Sequence, residues 1–500
     1  MVGRADEGSL ARLKAEFGRE LRRLREAAGM TQKALGRRVS YHRVSVTQVE
    51  SGRQNFSRQF VEQVEAALDA QGKLFAIYEQ IEAARGRQLR SAGPLHHGSL
   101  PAGKVEDVDQ AVAASQQEWR SVRRHLNGHR AELARVAAEL YPPELRLEGT
   151  PLLVRPEWIP AQPVDLADIK LGWVEGRQPQ SVDGTEPEAA RVLPLRTADY
   201  RYDRYTSAVR YLDSPTLFEN RPSYRLLDVD WSDDMGRMSF GLAAYFDKLD
   251  VSEALGHELA EAQLRLTEKD GRVREVGWKR VPFRRIIGDS FDMEHLPVIP
   301  AVTTLTLCRD RAAGTAAFLL HWRNPEFVAT AGGVYDVIPA GEFQPSSVAP
   351  WDQVNDFDLW RNIVREFSEE LLGTPEHDGS RSTPIDYDSW PFYRSLERAR
   401  ATGQLGAFCL GVGLDALTLA ATILTVVVID DDVFEKVFGE IVRANAEGIT
   451  VTTLDGQRSA SGIPFTEYNV RRLLTSEPMA SPGAACIALA WRHREALLRA

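Results

Sequence analysis

The sequence predicts a multidomain protein: a small all-α module at the N-terminus followed by a large α/β (α+β) body. Three observations predict it. The chain's 500 residues exceed what one hydrophobic core serves, so about two to four domains are expected. Residues 1–90 place apolar side chains at helical spacing among arginines, whereas beyond residue 145 short apolar runs alternate with prolines and turns. Charge divides in the same way. Residues 1–90 hold 17 Lys+Arg against 11 Asp+Glu, a net of +6, and the remainder holds 44 against 60, a net of −16. A basic module on an acidic body suggests a polyanion partner at one end only.

Apolar content of 43% and charged content of 26% are ordinary for a soluble globular protein. The three cysteines, Cys308, Cys409 and Cys486, match no zinc or redox spacing, which argues for a reducing compartment and against a disulfide framework. Charge interrupts the first residues too often for a signal core, and the apolar run Leu417–Ile429 is too short to span a bilayer. No membrane partner is expected, and the expected location is cytoplasmic.

In the first module a helix is predicted from about Leu10 to Ala28, with Leu13, Phe17, Leu21 and Leu24 on one face. Gly29 fits its stop and Thr31 the N-cap of QKALGRRV. A short helix, SVTQVESG, follows and ends at Gly52, and the amphipathic segment FVEQVEAALDA packs behind it. Gly29-Met30-Thr31-Gln32, Leu35, Val39, Val46 to Glu50 and Gly52 together resemble the signature of the Xre/λ-repressor-like helix-turn-helix family over roughly residues 10–80. Ser40 stands where the family's turn usually has glycine, and Thr47 where serine is common.

The resemblance implies an all-α DNA-binding fold with double-stranded DNA as partner, in a bacterial, nucleoid-associated setting. A recognition helix presents short polar side chains to base edges, and His42, Arg43, Ser45, Thr47 and Gln48 are placed to do so. Gln32 would face the backbone or the first base, and Arg38, Arg43 and Arg53 are candidates for phosphate contacts. Val46 and Val49 read as core. A protein-binding helical bundle with incidental basic charge is the alternative. One such module covers little DNA, which implies a homodimer on a two-part site.

From Ser91 the composition turns small and polar, and a flexible joint is predicted; His96-His97 within it has no partner at ligand spacing. A long helix follows in residues 91–144, with Trp119, Val122, Leu126, Leu133, Val136 and Leu140 in an apolar stripe. It serves either dimerisation or packing on the body. Residues 145–295 are expected to form a β-rich middle domain that also holds the helix DVSEALGHELAEAQLRL. Its HELAE imitates a zinc-protease H-E-x-x-H, but Glu261 replaces the second histidine, so His257 and Glu258 read as structural.

Residues 296–500 read as strands, a glycine turn and a helix, DFDLWRNIVREFSEELLG, capped by Asp358. On an α-helix Glu366, Glu369 and Glu370 fall at i, i+3 and i+4, close enough to share a cation. Arg365, Glu366, Glu369 and Glu370 match the R-E-x-x-E-E core of the Nudix consensus G-x5-E-x7-R-E-U-x-E-E-x-G-U, where U is bulky and aliphatic. The chain thus resembles a Nudix-like domain at this end. The resemblance implies glutamates holding Mg²⁺ against a diphosphate, oriented by the arginine, with a nucleotide-like ligand.

Departures bear on activity. Phe357 occupies the upstream glutamate's place, Trp351 the glycine's, about ten residues are inserted after Ala340-Gly341, and two leucines separate Glu370 from Gly373. An insertion there disturbs the positioning that catalysis needs. The glutamates are therefore a metal site, the shell of one kept as a ligand pocket, or a solvated face. Gly411 to Ala416, a weak G-x-G-x-x-A, reads as a turn. The favoured function is a transcriptional regulator with a non-catalytic ligand-sensing body. The alternatives are a bifunctional regulator with Mg²⁺-dependent nucleoside-diphosphate hydrolysis and a DNA-tethered interaction scaffold.

Overall fold

Gly29 adopts the left-handed region (φ +66°) and ends α1 (Gly3–Ala27), which begins several residues before the sequence pattern suggested. Thr31 then caps α2 (Gln32–Arg38), its hydroxyl accepting from the Ala34 amide at 3.1 Å. The third helix, α3, runs Arg43–Glu50. The structure is a computed structural model. It describes residues 3–39, 43–50, a discontinuous set between 61 and 81, and 103–177, 180–215, 218–232, 235–270, 276–323, 334–374, 383–439, 448–451 and 462–499. The chain divides into two compact units, 1–102 and 103–500. In the first, Phe17 and Leu21 of α1, Leu35 and Val39 around α2, and Val46 and Val49 of α3 form a buried core with Val61, Val64 and Leu74.

The second unit opens with α4 (Gly103–Gly128) and α5 (Arg130–Ala138). The stripe read from the sequence faces inward: Trp119, Val122, Leu126 and Leu133 are all buried in the unit's main core. The next strands are β1 (Leu152–Leu153), β2 (Val164–Asp165) and β3 (Lys170–Arg177). After α6 (Tyr205–Leu212) come β4 (Pro222–Asp230) and β5 (Arg237–Ala244), and then the long helix α7 (Tyr245–Asp270). β3, β5 and β4 form a sheet in that order, with β3 parallel to β5 at its outer end.

The central sheet draws on distant parts of this unit. β6 (Ala301–Asp310) and β7 (Thr315–Phe318) are antiparallel neighbours, and the apolar stretch GTAAFLLHW divides between β7 and β8 (Leu320–Arg323). β9 (Val334–Val337) pairs β8, and β10 (Ala340–Glu342) pairs β6. Then follow α8 (Asp352–Asn355), α9 (Leu359–Glu366) with a π-helical extension Phe367–Leu371, and α10 (Pro391–Ala401). β11 (Leu405–Asp415) and β12 (Ala421–Asp430) form a hairpin, so the weak G-x-G-x-x-A stretch, read as a turn, is instead strand: Gly411 to Asp415 end β11 and only Ala416 enters the turn. β13 (Gly448–Val451) pairs β8, and the main sheet runs β1-β11-β12-β6-β7 and ends on β14 (Ile463–Pro464), with β2 also on β11.

β12 lies parallel to β6 and is buried along its whole length, as a strand covered on both faces must be. Its side chains alternate between two cores. Ile423, Val427 and Ile429 share one with Ile363 and Val364 of α9, while Leu424, Val426 and Val428 share the other with Ile487 and Leu489. The last two belong to the C-terminal helix Ser481–Arg492. The sheet is thus sandwiched between α9 and that helix.

Candidate nucleic-acid interface and the glutamate helix

α3 is held in place by one carboxylate. Glu50, at its last position, accepts from Arg25 Nε at 2.5 Å and from the Gln32 amide at 2.8 Å, tying α3 to both α1 and α2. Arg25 also donates to the Met30 carbonyl at 2.8 Å. Both charged side chains are nearly inaccessible, so each satisfies what would otherwise be a buried lone charge. The Thr47 hydroxyl donates to the Gln32 side-chain oxygen at 3.0 Å, closing the chain of contacts. The helices also approach closely at Gly18, where an added Cβ would sit 2.5 Å from the carbonyl oxygens of Val49 and Glu50.

Gln32, read as a DNA-facing side chain, therefore bridges the two helices while half-exposed, and Thr47 and Arg38 stand exposed. Arg43, Ser45 and Gln48 lie on α3, but their side chains, and all of His42 and Arg53, lie outside the described residues. Residues 16–76 match the model of a helix-turn-helix domain. The helix-turn-helix unit is the one that carries the chain's positive charge, as a DNA-binding regulator requires. Comparison with curated proteins finds no match to this chain. Gly18 and the Arg25–Glu50 pair escaped the sequence reading. Their signal was a glycine inside a helical stripe and a charge pair 25 residues apart.

The glutamate helix departs from the sequence expectation at its geometry. Asp358 caps α9 as read, accepting from the Arg361 amide at 2.8 Å. Glu366 is its last α-helical residue, however, and Glu369 and Glu370 lie in the π-helical extension. A wider turn rotates side chains out of the alignment that i, i+3, i+4 spacing gives an α-helix. Among the described residues, no group of three or more His, Cys, Asp or Glu side chains is arranged to hold a metal ion. The Glu366 carboxylate fills the space beside Gly341, 2.1 Å from where a Cβ would be, and Glu370 accepts from the Ala340 amide at 3.4 Å. Both glutamates thus close on β10.

Arg365 is buried and its hydrogen bonds go elsewhere: to the Tyr387 hydroxyl at 2.8 Å, the Gln344 carbonyl at 2.9 Å and the Asn362 side chain at 2.9 Å. It lies 3.7 Å from Asp356, a fully buried carboxylate that also accepts from Tyr387 at 2.7 Å and from the Ser346 amide at 2.8 Å. Although burial opposes its charge, Tyr387 and Asp356 hold the guanidinium above its ordinary value, while burial pushes the Tyr387 phenol up. Phe357 packs between Tyr224 and Trp173, with ring centroids 5.0 and 5.4 Å away. The inserted segment is therefore fastened to α9 by the arginine that the family pattern assigns to the glutamates.

HELAE is structural in the same sense. Buried His257 stacks on Trp119 at 5.6 Å and its Nδ1 lies 3.1 Å from the Tyr205 hydroxyl; burial lowers it to about 3, so it stays neutral. Glu258 accepts from the amides of Phe283 and Arg284 at 2.7 and 3.0 Å, and burial raises it to about 7.

Proposed function

We propose that this protein is a sequence-specific DNA-binding transcriptional regulator whose body is a Nudix-like, non-catalytic ligand-sensing region, working as a homodimer. The observation that carries the first part is the Glu50 lock, which fixes α3 against α1 and α2 while leaving Thr47 and Arg38 exposed. His42, Arg43, Ser45, Thr47 and Gln48 are the proposed base readers, with Arg38 and Arg53 on phosphates. A sheet sandwiched between α9 and the C-terminal helix supports the Nudix-like reading of the body. The commitment of Arg365 to Asp356 and Tyr387 and of Glu370 to β10 supports a frame without hydrolytic activity. A nucleotide-like ligand would regulate only by binding the DNA-competent and incompetent arrangements with different affinity.

A mobility shift with the protein's own promoter region tests the reading. Binding that weakens steeply with salt is expected, and Thr47→Ala with Gln48→Ala changes site preference. Failure to bind any DNA at low salt overturns it. For the body, Mg²⁺-dependent phosphate release from a panel of nucleotide sugars and dinucleotides is expected to be absent. Turnover that disappears in Glu369→Gln would overturn the non-catalytic reading.

A further inference from the structure

His125 and His129 stand at the corner where α4 gives way to α5, and their rings stack with centroids 4.2 Å apart and planes inclined at 27°. Neither belongs to the helix-turn-helix unit or to the glutamate helix. The surrounding hydrogen bonds assign the proton of each neutral ring. His129 Nδ1 lies 3.0 Å from the His125 carbonyl oxygen, which can only accept, so Nδ1 carries the hydrogen and Nε2 is bare. For His125 the assignment runs through α7. The Glu132 carboxylate accepts from the Gln263 amide nitrogen at 2.9 Å, which turns the Gln263 amide oxygen toward His125 Nε2, also at 2.9 Å. That oxygen accepts, so His125 Nε2 donates and its Nδ1 is the bare nitrogen. Among the described residues neither bare nitrogen has a hydrogen-bond partner.

An imidazole that gives its N–H to an oxygen and keeps the other nitrogen bare is arranged as a metal-ligating histidine is. Here two such rings sit side by side. With metal–nitrogen bonds of about 2.0–2.1 Å, two nitrogens on one ion stand about 3 Å apart, a spacing that a rotation of the exposed His129 ring reaches from the stack. Solvent reaches the corner, since His129 and Glu132 are exposed and His125 is half-buried. The adjacent cation does not oppose an ion there, because Arg130 turns inward to Glu253 at 2.7 Å. Oxygen donors would suit Mg²⁺ or Ca²⁺, whereas two neutral nitrogens select a borderline ion such as Zn²⁺, Ni²⁺ or Cu²⁺. We propose that His125 Nδ1 and His129 Nε2 form a two-nitrogen site for a late first-row divalent ion, Zn²⁺ above all, with water in its remaining positions. The ion clamps the end of α4 to the start of α5 across Gly128, and the Gln263 contact ties the clamp to α7. The site stands apart from both the DNA-binding reading and the glutamates of α9.

Isothermal titration of the metal-free full chain with ZnCl₂, and separately with MgCl₂, tests it. The wild type is expected to bind Zn²⁺ and not Mg²⁺. His125→Ala and His129→Ala each remove one donor and should raise the Zn²⁺ dissociation constant about tenfold or more. His96→Ala with His97→Ala, which removes the adjacent histidines of the joint, should leave it unchanged. Thermal melting without metal checks the fold of each variant. His129 is exposed, so its loss should leave melting unchanged; added Zn²⁺ should then raise the melting temperature of the wild type and not that of His129→Ala. If His125→Ala melts lower because Gln263 loses a partner, His129→Ala alone decides. A wild type that binds no Zn²⁺, or binds Mg²⁺ as tightly, overturns the proposal. So does wild-type affinity in His129→Ala, or a loss confined to the His96 and His97 variant.

Discussion

Taking away the Arg365 guanidinium would leave Asp356 fully buried without its cation, while Tyr387, Gln344 and Asn362 each lose a donor. Breaking a buried pair from one side costs about 3–5 kcal/mol, so Arg365→Met should lower the unfolding free energy of the body by that order, read from urea denaturation as the fall in midpoint multiplied by the slope. A solvated arginine would change it by only a few tenths of a kcal/mol. Glu258 supplies a pH-dependent counterpart. In the unfolded chain its carboxyl titrates near 4.5, and burial in the fold raises it to about 7. Folding therefore takes up a proton between these values: the contribution to stability is full below pH 4.5 and is lost as pH rises through about 7. Glu258→Gln removes the titration but sets an NH2 against one of the two amides, a cost independent of pH; its stability deficit against the wild type should therefore shrink between pH 5 and 8, by up to about 3 kcal/mol. Chemical denaturation across that range checks this; a pH-independent difference would show that the carboxyl keeps its ordinary titration.

Between elements, Gly18 decides how closely α1 approaches the end of α3. Helix propensity alone would make Gly18→Ala stabilising by about 0.5–1 kcal/mol. The Cβ would meet two backbone carbonyls at 2.5 Å, however, and backbone cannot swing aside as a flexible side chain can. Forcing the helices apart should instead cost about 1–3 kcal/mol and displace α3. Far-ultraviolet dichroism should therefore stay nearly constant while DNA affinity falls; a variant that melts higher and binds normally would remove Gly18 from this role. Much at this scale was legible. Gly29 and Thr31 marked the break between α1 and α2, and Asp358 marked the start of α9, because cap chemistry is local. The π-helical extension was not, since REFSEELLG carries the same apolar spacing for either helix type. Nor were β1 and β2, two residues each, which are too short to show a period and exist only through pairing with β11.

For the whole molecule, the division into a basic helical unit and an acidic body was readable from charge and spacing alone, and the two compact units 1–102 and 103–500 follow that division. The site was legible only in part. Motif spacing located α3, but the Arg25–Glu50 lock joins residues whose proximity only the fold creates, and the destination of Arg365 depends on an insertion with no pattern of its own. The exposed side chains of the helix-turn-helix unit now allow positioning and reading to be separated. Arg38 is a proposed phosphate contact, so Arg38→Ala should weaken binding to all sequences alike and lower the slope of log affinity against log salt by about one. Thr47 should behave in the opposite way. Thr47→Ala removes a hydroxyl that both faces outward and holds Gln32, so it should reduce discrimination between operator and random DNA while leaving the salt slope unchanged. Titrations of both variants from 50 to 200 mM salt, about the range over which phosphate contacts change affinity most visibly, measure both quantities at once. If the two variants change slope and discrimination in the same proportion, the assignment of Arg38 to phosphate and Thr47 to bases is wrong, even if the protein binds DNA tightly.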